Sequence, residues 1–183
     1  MKRILIIGFA ILAFVILFQR FLYRNLVSYH SVGLRSGRYP VKPALAKFID
    51  SSSSETKIKS IEDVVEVALE TTTDHLSYAT SHTQNDPNRL IFSKNAHCVG
   101  YANFFAATCS YLLQVNKLNE NWKVETHQGK LHVLTVDIHK FFSSPFLKDH
   151  DFVILSNKAN DRVIAVDPTL SDYSWIEHVS YRK

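Results

Sequence analysis

The chain carries two cysteines in different sequence surroundings, and one of them has the features of a reactive thiol. Cys98 opens an uncharged stretch that continues to Leu113 and has the length of a core helix. A thiol at a helix start faces unpaired backbone N–H groups and the positive end of the helix dipole, which favour the thiolate. A buried structural cysteine explains this position equally well. Cys109 falls in the middle of the same predicted helix, among apolar residues, and is expected to belong to the core.

A cysteine nucleophile needs an imidazole to accept its proton and usually a third group to orient that imidazole. The chain contains nine histidines, and the last predicted hairpin favours one of them. If its turn centres between positions 158 and 159, His150 stands opposite Asp167, with both side chains on one face and about 5 Å apart at Cβ. His132 is the alternative base, but it has no such partner, since a second predicted hairpin around Gly129 would place it opposite 125–127.

Helices and strands that would position these groups follow from the hydrophobic pattern. Apolar residues recur every three or four positions over 61–76, behind a weak capping box of Ser60 and Asp63, and predict an amphipathic helix. Residues 81–95 are polar and predict a loop, after which the uncharged central helix begins. Two strands are predicted over 122–138, and two more form the last hairpin. This order predicts an α+β fold in which the central helix packs on an antiparallel sheet.

Three short motifs occur along the chain in the order Cys98-Val99-Gly100-Tyr101-Ala102, His150-x-Phe152-Val153 and Val166-Asp167-Pro168-Thr169. Together they resemble the transglutaminase-like superfamily of the papain-like cysteine fold, over about residues 60–172. The resemblance implies that Cys98 is the nucleophile and His150 the general base and acid. It also implies that Asp167 is the carboxylate that orients the imidazole.

The sequence departs from the family pattern at several positions. Phe152 stands where the family usually has tryptophan, and His97 stands where it often has a small or acidic residue. The stretch from 124 to 148 is longer than in compact members, which keeps His132 as an alternative base.

The chemistry expected from this resemblance is attack of a thiolate on a peptide or carboxamide carbonyl, with a thioester intermediate. Release to water would make the chain a peptidase or amidase, and release to an amine would make it a transamidase. The alternative is a non-catalytic module of the same fold that binds a peptide at the membrane. The Cys98 backbone N–H is the expected oxyanion donor, and Gln84, Asn85 and Asn95 are candidates for a second one. Thiol chemistry requires no cofactor, and the expected partner is a protein or peptide substrate.

Composition excludes several other classes of protein. The 183 residues are 46% hydrophobic with only 5 Gly and 5 Pro, which excludes a disordered or low-complexity chain. Six of the 21 basic residues precede residue 39, where no acidic residue occurs, so the remainder is slightly acidic and no nucleic-acid partner is expected. Neither the two cysteines nor the histidines show metal-ligand spacing, and no metal site is expected.

The N-terminus predicts attachment to a membrane. An apolar run over 4–18 has basic residues on both sides and, counted through Tyr23, reaches roughly 20 residues, about enough to cross a bilayer. The expected organisation is a transmembrane anchor over 1–24, a tether over 25–59 and a catalytic domain over 60–183. A cleaved signal peptide is the alternative, although no small-residue cleavage site follows. The short N-terminal tail favours an extracytoplasmic domain, while the flanking basic residues are nearly balanced.

Overall fold

A computed structural model of the chain describes residues 2–35, 39–144 and 147–182. The helices are, in chain order, α1 (Lys2–Leu17), α2 (Gln19–Leu26), α3 (Pro43–Ser52), α4 (Ile61–Thr73), α5 (Pro87–Ser93), α6 (Cys98–Val115) and α7 (Pro168–Ser174). The strands are β1 (Val27–Leu34), β2 (Ser77–Tyr78), β3 (Asn95–Ala96), β4 (Trp122–Val133), β5 (Val136–Asp137), β6 (His150–Asn157), β7 (Val163–Val166) and β8 (Ser180–Arg182). A 3-10 helix over Ile138–Phe141 follows β5. The predicted α+β class is confirmed.

Helices α4 and α6 form the helical side of the core. The capping box is present at the start of α4: the Asp63 N–H donates to the Ser60 hydroxyl oxygen at 3.2 Å, and the Ser60 N–H donates to the Asp63 carboxylate at 2.9 Å. The helix ends at Thr73, three residues before the predicted end, because its last three residues are β-branched threonines of low helix propensity. Helix α6 begins at Cys98, as predicted, and is buried along most of its length.

The main sheet has the strand order β7-β6-β4-β1-β8, and β5 pairs with the end of β4. Neighbouring strands are antiparallel except for β1 and β8, which are parallel. The expected antiparallel sheet is therefore wrong in one pairing, and the sheet is mixed. Strand β8 reaches the edge beside β1 after a long crossover through the whole fold, so no short turn forces the two strands to run in opposite directions.

The two faces of the sheet carry separate apolar clusters, because successive side chains of a strand point to opposite faces. On the α6 face, Val153 and Leu155 of β6 pack into the large core formed with α4 and α6. On the other face, Phe152 and Ile154 pack with Tyr29 of β1 in a smaller cluster. Strand β6 is thus buried from both sides, and its first residue, His150, is half-buried with its ring 6.2 Å from that of Tyr29.

Strand β4 is continuous from Trp122 to Val133, so the hairpin predicted around Gly129 is wrong. Gly129 pairs instead with His150 on one neighbouring strand and with Ser31 on the other. A Cβ atom at Gly129 would lie 2.5 Å from a ring carbon of Phe152, so the glycine allows a close approach between strands rather than a turn.

The segment over 25–59 contributes directly to the domain, in contrast to the predicted tether. Strand β1 occupies a position between β4 and β8, and Tyr29 within it is fully buried. Helix α3 adds Leu45 and Ile49, both with no exposed surface, to the large core. The domain predicted to begin at residue 60 therefore includes structure that precedes that residue.

At the N-terminus, none of the described helices is by itself both long and apolar enough to cross a bilayer. The stretch Ile7–Leu17 and helix α2 satisfy the length and composition together, but they are bent by 73° at Phe18. Helix α2 is attached to the domain: the Gln19 side-chain amide donates to the Ser174 carbonyl at 3.2 Å, and Arg20 pairs with Glu177 at 3.2 Å. The predicted anchor over 1–24 thus includes residues that pack on the domain.

Candidate active site

Cys98 is the first residue of α6 and is partly buried. His97 precedes it as the N-cap, and its ring Nδ1 accepts the backbone N–H of Val99 at 3.2 Å. This cap ends the preceding extended backbone and starts the helix at the thiol. Cys98 therefore lies at the positive end of an 18-residue helix, where the helix dipole favours a negative charge.

His150 and Asp167 are brought together as predicted. The His150 Nε2 and the Asp167 Oδ2 are 2.7 Å apart, and the carboxylate is almost completely buried. The His150 ring also acts on the Cys98 thiol, since its hydrogen bond and its charge both lower the pKa of that thiol. Because Nε2 is engaged by Asp167, Nδ1 is the ring nitrogen that remains for the thiol. The three predicted site residues thus form one row in the order Cys98, His150, Asp167.

The strand register behind this contact differs from the predicted one by two residues. Val153 pairs with Val166 and Ile154 pairs with Ala165, so His150 is not directly opposite Asp167. The turn centres between positions 159 and 160, one residue later than predicted, because the Asn157 N–H bonds to the Arg162 carbonyl. The side-chain oxygen of Asn157 accepts further backbone N–H groups within the loop.

A shift of two residues keeps the same side chains on the same face, and diagonal neighbours remain within reach of a long side chain. His150 therefore reaches Asp167 diagonally, just beyond the end of β7. The predicted contact is present although the predicted pairing is wrong.

Asp167 is held by several donors besides His150. As the N-cap of α7, it accepts the Leu170 N–H on Oδ1 at 3.0 Å. Its Oδ2 accepts the hydroxyl of Tyr29, also at 2.7 Å. Tyr29 in turn shares a hydrogen bond of 2.7 Å with the hydroxyl of Tyr23 on α2. The carboxylate is thereby fixed in position by groups from three separate parts of the chain.

Tyr29 was not identified from the sequence, and no local pattern marks it. It lies 138 positions from Asp167, in the segment that was predicted from the sequence to be a tether. Burial raises the pKa of Tyr29 well above its ordinary value, and the neighbouring Asp167 raises it further. The phenol therefore remains a proton donor to the carboxylate over the whole physiological range.

The electrostatics of the row favour a thiolate next to an imidazolium. Burial by itself raises the pKa of Cys98, but hydrogen bonds from His150 and His97, the charge of His150 and the Asp151 N–H outweigh it and lower the pKa to about 7. Burial lowers the pKa of His150, whereas the Asp167 carboxylate raises it, and the result lies well above the ordinary value. Burial raises the pKa of Asp167, yet His150 and Tyr29 bring it below the ordinary value.

Asp151, the next residue of β6, lies in a second ion pair beside the row. Its fully buried carboxylate accepts two hydrogen bonds from the Arg35 guanidinium, the one from Nε at 2.8 Å. Asp151 also presents its backbone N–H to the Cys98 thiol. Arg35 interacts electrostatically with the same thiol. A positive group and a backbone donor, neither identified from the sequence, therefore stand next to the nucleophile.

The alternative base, His132, lies in another place. It pairs across the sheet with Ser28, and its ring packs against that of His30 with 4.1 Å between centroids. Among the described residues, the imidazoles that interact with the Cys98 thiol are those of His150 and His97. The structure therefore places the His150 ring beside Asp167 and the His132 ring beside His30.

Of the candidates for a second oxyanion donor, Gln84 lies directly against the first turn of α6. A Cβ atom at Gly100 would be 2.6 Å from the Gln84 carbonyl oxygen, so the glycine allows this approach. The Gln84 Oε1 accepts the N–H groups of Asn85 and Asp86 at 2.9 and 3.0 Å, which leaves its amide NH2 as the donor. The side-chain oxygen of Asn85 is buried without a partner among the described residues.

A cavity of about 1010 Å³ lies between α6, β4 and the segment before α3. Arg35 and Asn103 belong to its lining, and Arg35 also interacts electrostatically with Cys98, but none of the residues Cys98, His150 and Asp167 lines the cavity. Its walls mix apolar side chains with Lys123 and Glu125, which pair with each other at 2.8 Å. Within the described part of the chain, no cluster of three or more potential ligand side chains could hold a metal ion.

Comparison of the chain with protein-family models and with curated proteins finds no match.

Proposed function

We propose that this chain is a cysteine enzyme that transfers acyl groups through a thioester on Cys98. The observation that carries this proposal is the row of thiol, imidazole and carboxylate, with 2.7 Å between His150 and Asp167. A thiol pKa of about 7 supports it further, since a substantial fraction is then ionised at neutral pH. A peptide-binding module would have no need of such a low thiol pKa.

The proposed reaction has two steps. In the first, the Cys98 thiolate attacks the carbonyl carbon of a peptide or carboxamide, and the backbone N–H of Cys98 stabilises the oxyanion. The His150 imidazolium gives its proton to the leaving amine as the C–N bond breaks, and a thioester remains. In the second, neutral His150 takes a proton from water or an acceptor amine, which attacks the thioester and releases Cys98 as a thiolate.

In this proposal Asp167 and Tyr29 act on the imidazole rather than on the substrate. Asp167 holds Nε2, keeps Nδ1 towards the thiol and stabilises the imidazolium. Tyr29 donates to the same carboxylate oxygen and so restricts its orientation. The arrangement of a nucleophile at the start of the central helix, with the base and the carboxylate on the adjacent strands, supports membership of the transglutaminase-like superfamily.

The proposal includes attachment to a membrane through α1. The apolar side chains Phe9, Phe14 and Leu17 expose 52 to 79% of their surface, and such a row is stable in lipid rather than in water. The attachment is assigned to α1 alone, since α2 packs on the domain.

Reaction with p-nitrophenyl acetate tests the catalytic proposal. We expect a burst of p-nitrophenol equal to the enzyme, an acetyl group on Cys98 that hydroxylamine removes, and continued turnover after the burst. Cys98→Ala is expected to lose both the burst and the acetyl group, while Cys109→Ala keeps them. A stable acetyl group without turnover would favour the binding module, and acetylation that persists in Cys98→Ala would contradict the assignment of the nucleophile.

A further inference from the structure

Exposed apolar side chains are concentrated at the end of β4 and in the segment that leads from it to β6. The described residues 133–144 and 147 are called the excursion below. Among the described residues after position 39, six of the ten large apolar side chains that are exposed lie between 133 and 147. They are Val133, Leu134, Val136, Phe141, Phe142 and Leu147. Of the other four, Phe92 and Val115 lie singly, and Tyr173 and Trp175 lie together at the end of α7. A concentration of this kind marks a surface that meets an apolar partner.

This excursion lies at the end of α2. The Leu134 N–H donates to the Leu26 carbonyl at 2.6 Å, and Val27 pairs with Val133. Leu134 has a φ of 59°, a left-handed conformation that is rare for a residue of this shape, and its side chain is 61% exposed. The backbone thus presents a leucine to the exterior beside the helix that follows the apolar α1.

The bend between α1 and α2 sets the height of this excursion above a membrane. Eight residues of α2 extend about 12 Å at the rise of an α-helix. With a bend of 73° from α1, only about 4 Å of that length is directed along the α1 axis. If α1 stands along the bilayer normal, α2 lies almost in the plane of the surface, and Leu134 is level with the headgroups.

Two arginines flank the same place. A cleft of about 280 Å³ beside Leu26 and Leu134 is lined by Arg24 and Arg182, and its lining, within the described residues, contains no carboxylate. Neither guanidinium makes an ion pair with a carboxylate of the described residues. Two guanidinium groups next to exposed apolar side chains match the surface of an anionic bilayer, where phosphates lie just outside the hydrocarbon.

We propose that the excursion, in its described residues 133–144 and 147, is a second membrane contact, in which Leu134 and Phe141 enter the interface and Arg24 and Arg182 bind anionic lipid headgroups. The inference rests on the proposed attachment through α1 and adds a fixed orientation to it. Two contacts hold the domain at one angle, so that the same side of the catalytic row always faces the bilayer.

Quenching of tryptophan fluorescence by brominated lipids tests this contact in the full chain. The probes are Leu134→Trp and Phe141→Trp in the excursion, and Phe9→Trp in α1. Val115→Trp is the control, because Val115 lies far along the sheet from the excursion. It lines the same cavity as Lys123, which is near the start of β4, whereas the excursion follows the end of that strand. The unsubstituted chain, with Trp122 and Trp175, supplies the background.

In vesicles of brominated phosphatidylcholine and phosphatidylglycerol, we expect emission loss for the probes in the excursion and in α1, and none for Val115→Trp. Unquenched probes at 134 and 141 beside a quenched probe at 9 would overturn the second contact and leave the α1 attachment in place. Quenching in the excursion with no quenching at 9 would support the contact and contradict insertion of α1. No quenching at any of the three would contradict both proposals.

The role of the arginines is tested by removing them from the Leu134→Trp chain. Arg24→Gln with Arg182→Gln is expected to remove the additional quenching that phosphatidylglycerol gives over pure phosphatidylcholine. The matched pair Lys47→Gln and Lys57→Gln removes the same charge from exposed positions elsewhere. This pair is expected to leave the additional quenching by phosphatidylglycerol unchanged. Equal effects of the two pairs would overturn the assignment of the headgroup cleft. Slowed hydrogen exchange over 133–144 that depends on protein concentration, without quenching, would assign the surface to a second copy of the chain.

Discussion

The first turn and the middle of α6 place the same functional group in opposite environments. Cys98, at the first turn, has a pKa lowered to about 7 by His150, His97 and a backbone N–H, even though burial opposes the change. Cys109, eleven residues later, is completely buried, and burial raises its pKa well above the ordinary value. One helix thus contains a thiol that is partly ionised at neutral pH and a thiol that behaves as a small apolar side chain.

The difference between the two thiols comes from their neighbours. At the helix start, polar groups of the residue before α6 and of the first two residues of β6 act on Cys98 and compensate for its burial. Asp167, just after β7, holds His150 in place. In the middle, Cys109 meets only the apolar core shared with α4. Reactivity is therefore a property of the position where the helix begins, and each variant below removes one part of that difference.

The largest expected effect is that of removing the thiol at the first turn. Cys98→Ala is expected to abolish alkylation by iodoacetamide at pH 7, because Cys109 is inaccessible and protonated. Cys109→Ala is expected to react as the unsubstituted chain does. Mass spectrometry of the intact chain counts the alkyl groups, and equal labelling of the two variants would contradict the contrast.

Removal of the His150 imidazole is expected to raise the pKa of Cys98, so that the thiol at the first turn becomes more like Cys109 in the middle of the helix. In the unsubstituted chain, alkylation should rise with pH to half its maximum at about pH 7, the pKa of Cys98. In His150→Ala the midpoint should move up towards the ordinary thiol pKa of about 8.5, which lowers the rate at pH 7 by up to roughly fifteen-fold.

The control for this experiment is His132→Ala, which removes the alternative base. Since His132 packs on His30 and not on the thiol, its midpoint should remain at about pH 7. A midpoint that moves in His132→Ala and stays in His150→Ala would reverse the assignment of the base.

A smaller effect is expected from Tyr29→Phe. The variant removes one hydrogen bond to the Asp167 carboxylate, which keeps its bonds to His150 and Leu170. Turnover of p-nitrophenyl acetate should fall about three- to ten-fold, the range expected for a hydrogen bond to a charged group that is partly compensated. Tyr23→Phe, one bond further away, should have a weaker effect. Unchanged turnover in Tyr29→Phe would show that the phenol does not position the carboxylate.

The smallest effect is expected in the middle of the helix and concerns stability rather than reaction. Cys109→Ser places a hydroxyl in the apolar core and should lower the free energy of unfolding by about 1 kcal/mol, a small cost because the hydroxyl can bond to the carbonyl one turn earlier. Cys98→Ser, at the partly exposed first turn, should leave it nearly unchanged. Urea denaturation measures both, and a greater loss for Cys98→Ser would contradict the comparison.

The parts of the site that are encoded locally were predictable from the sequence. The start of α6 at Cys98 follows from an uncharged run behind a polar segment, and the contact of His150 with Asp167 follows from the alternation of the last hairpin. The polar segment was predicted to be a loop, but Pro87–Ser93 within it form α5. The register was wrong by two residues because the position of the turn depends on Asn157, whose side chain accepts backbone N–H groups of the loop. The contact was predicted correctly all the same, because side chains alternate along a strand with a period of two, and an error of two residues leaves His150 on the same face.

The parts that depend on distant segments were not predictable. Tyr29 meets Asp167 only because β1 inserts between β4 and β8, and no feature of a single sequence specifies that pairing. Arg35 likewise meets Asp151 across 116 positions. Gly129 indicated a turn, whereas its actual role is to make room for Phe152 on the neighbouring strand. Contacts of this kind are decided by packing in the complete fold, where local propensity carries little weight.

The position of His150 beside Asp151 in β6 limits how the gene can change. The two residues serve opposite faces, one towards Asp167 and the other towards Arg35. Insertion or deletion of one codon within β6 would exchange those faces and dismantle both pairs without altering either residue. The exposed excursion before the strand has no such constraint, so length variation among descendants of this gene should accumulate there and be absent from the strand itself.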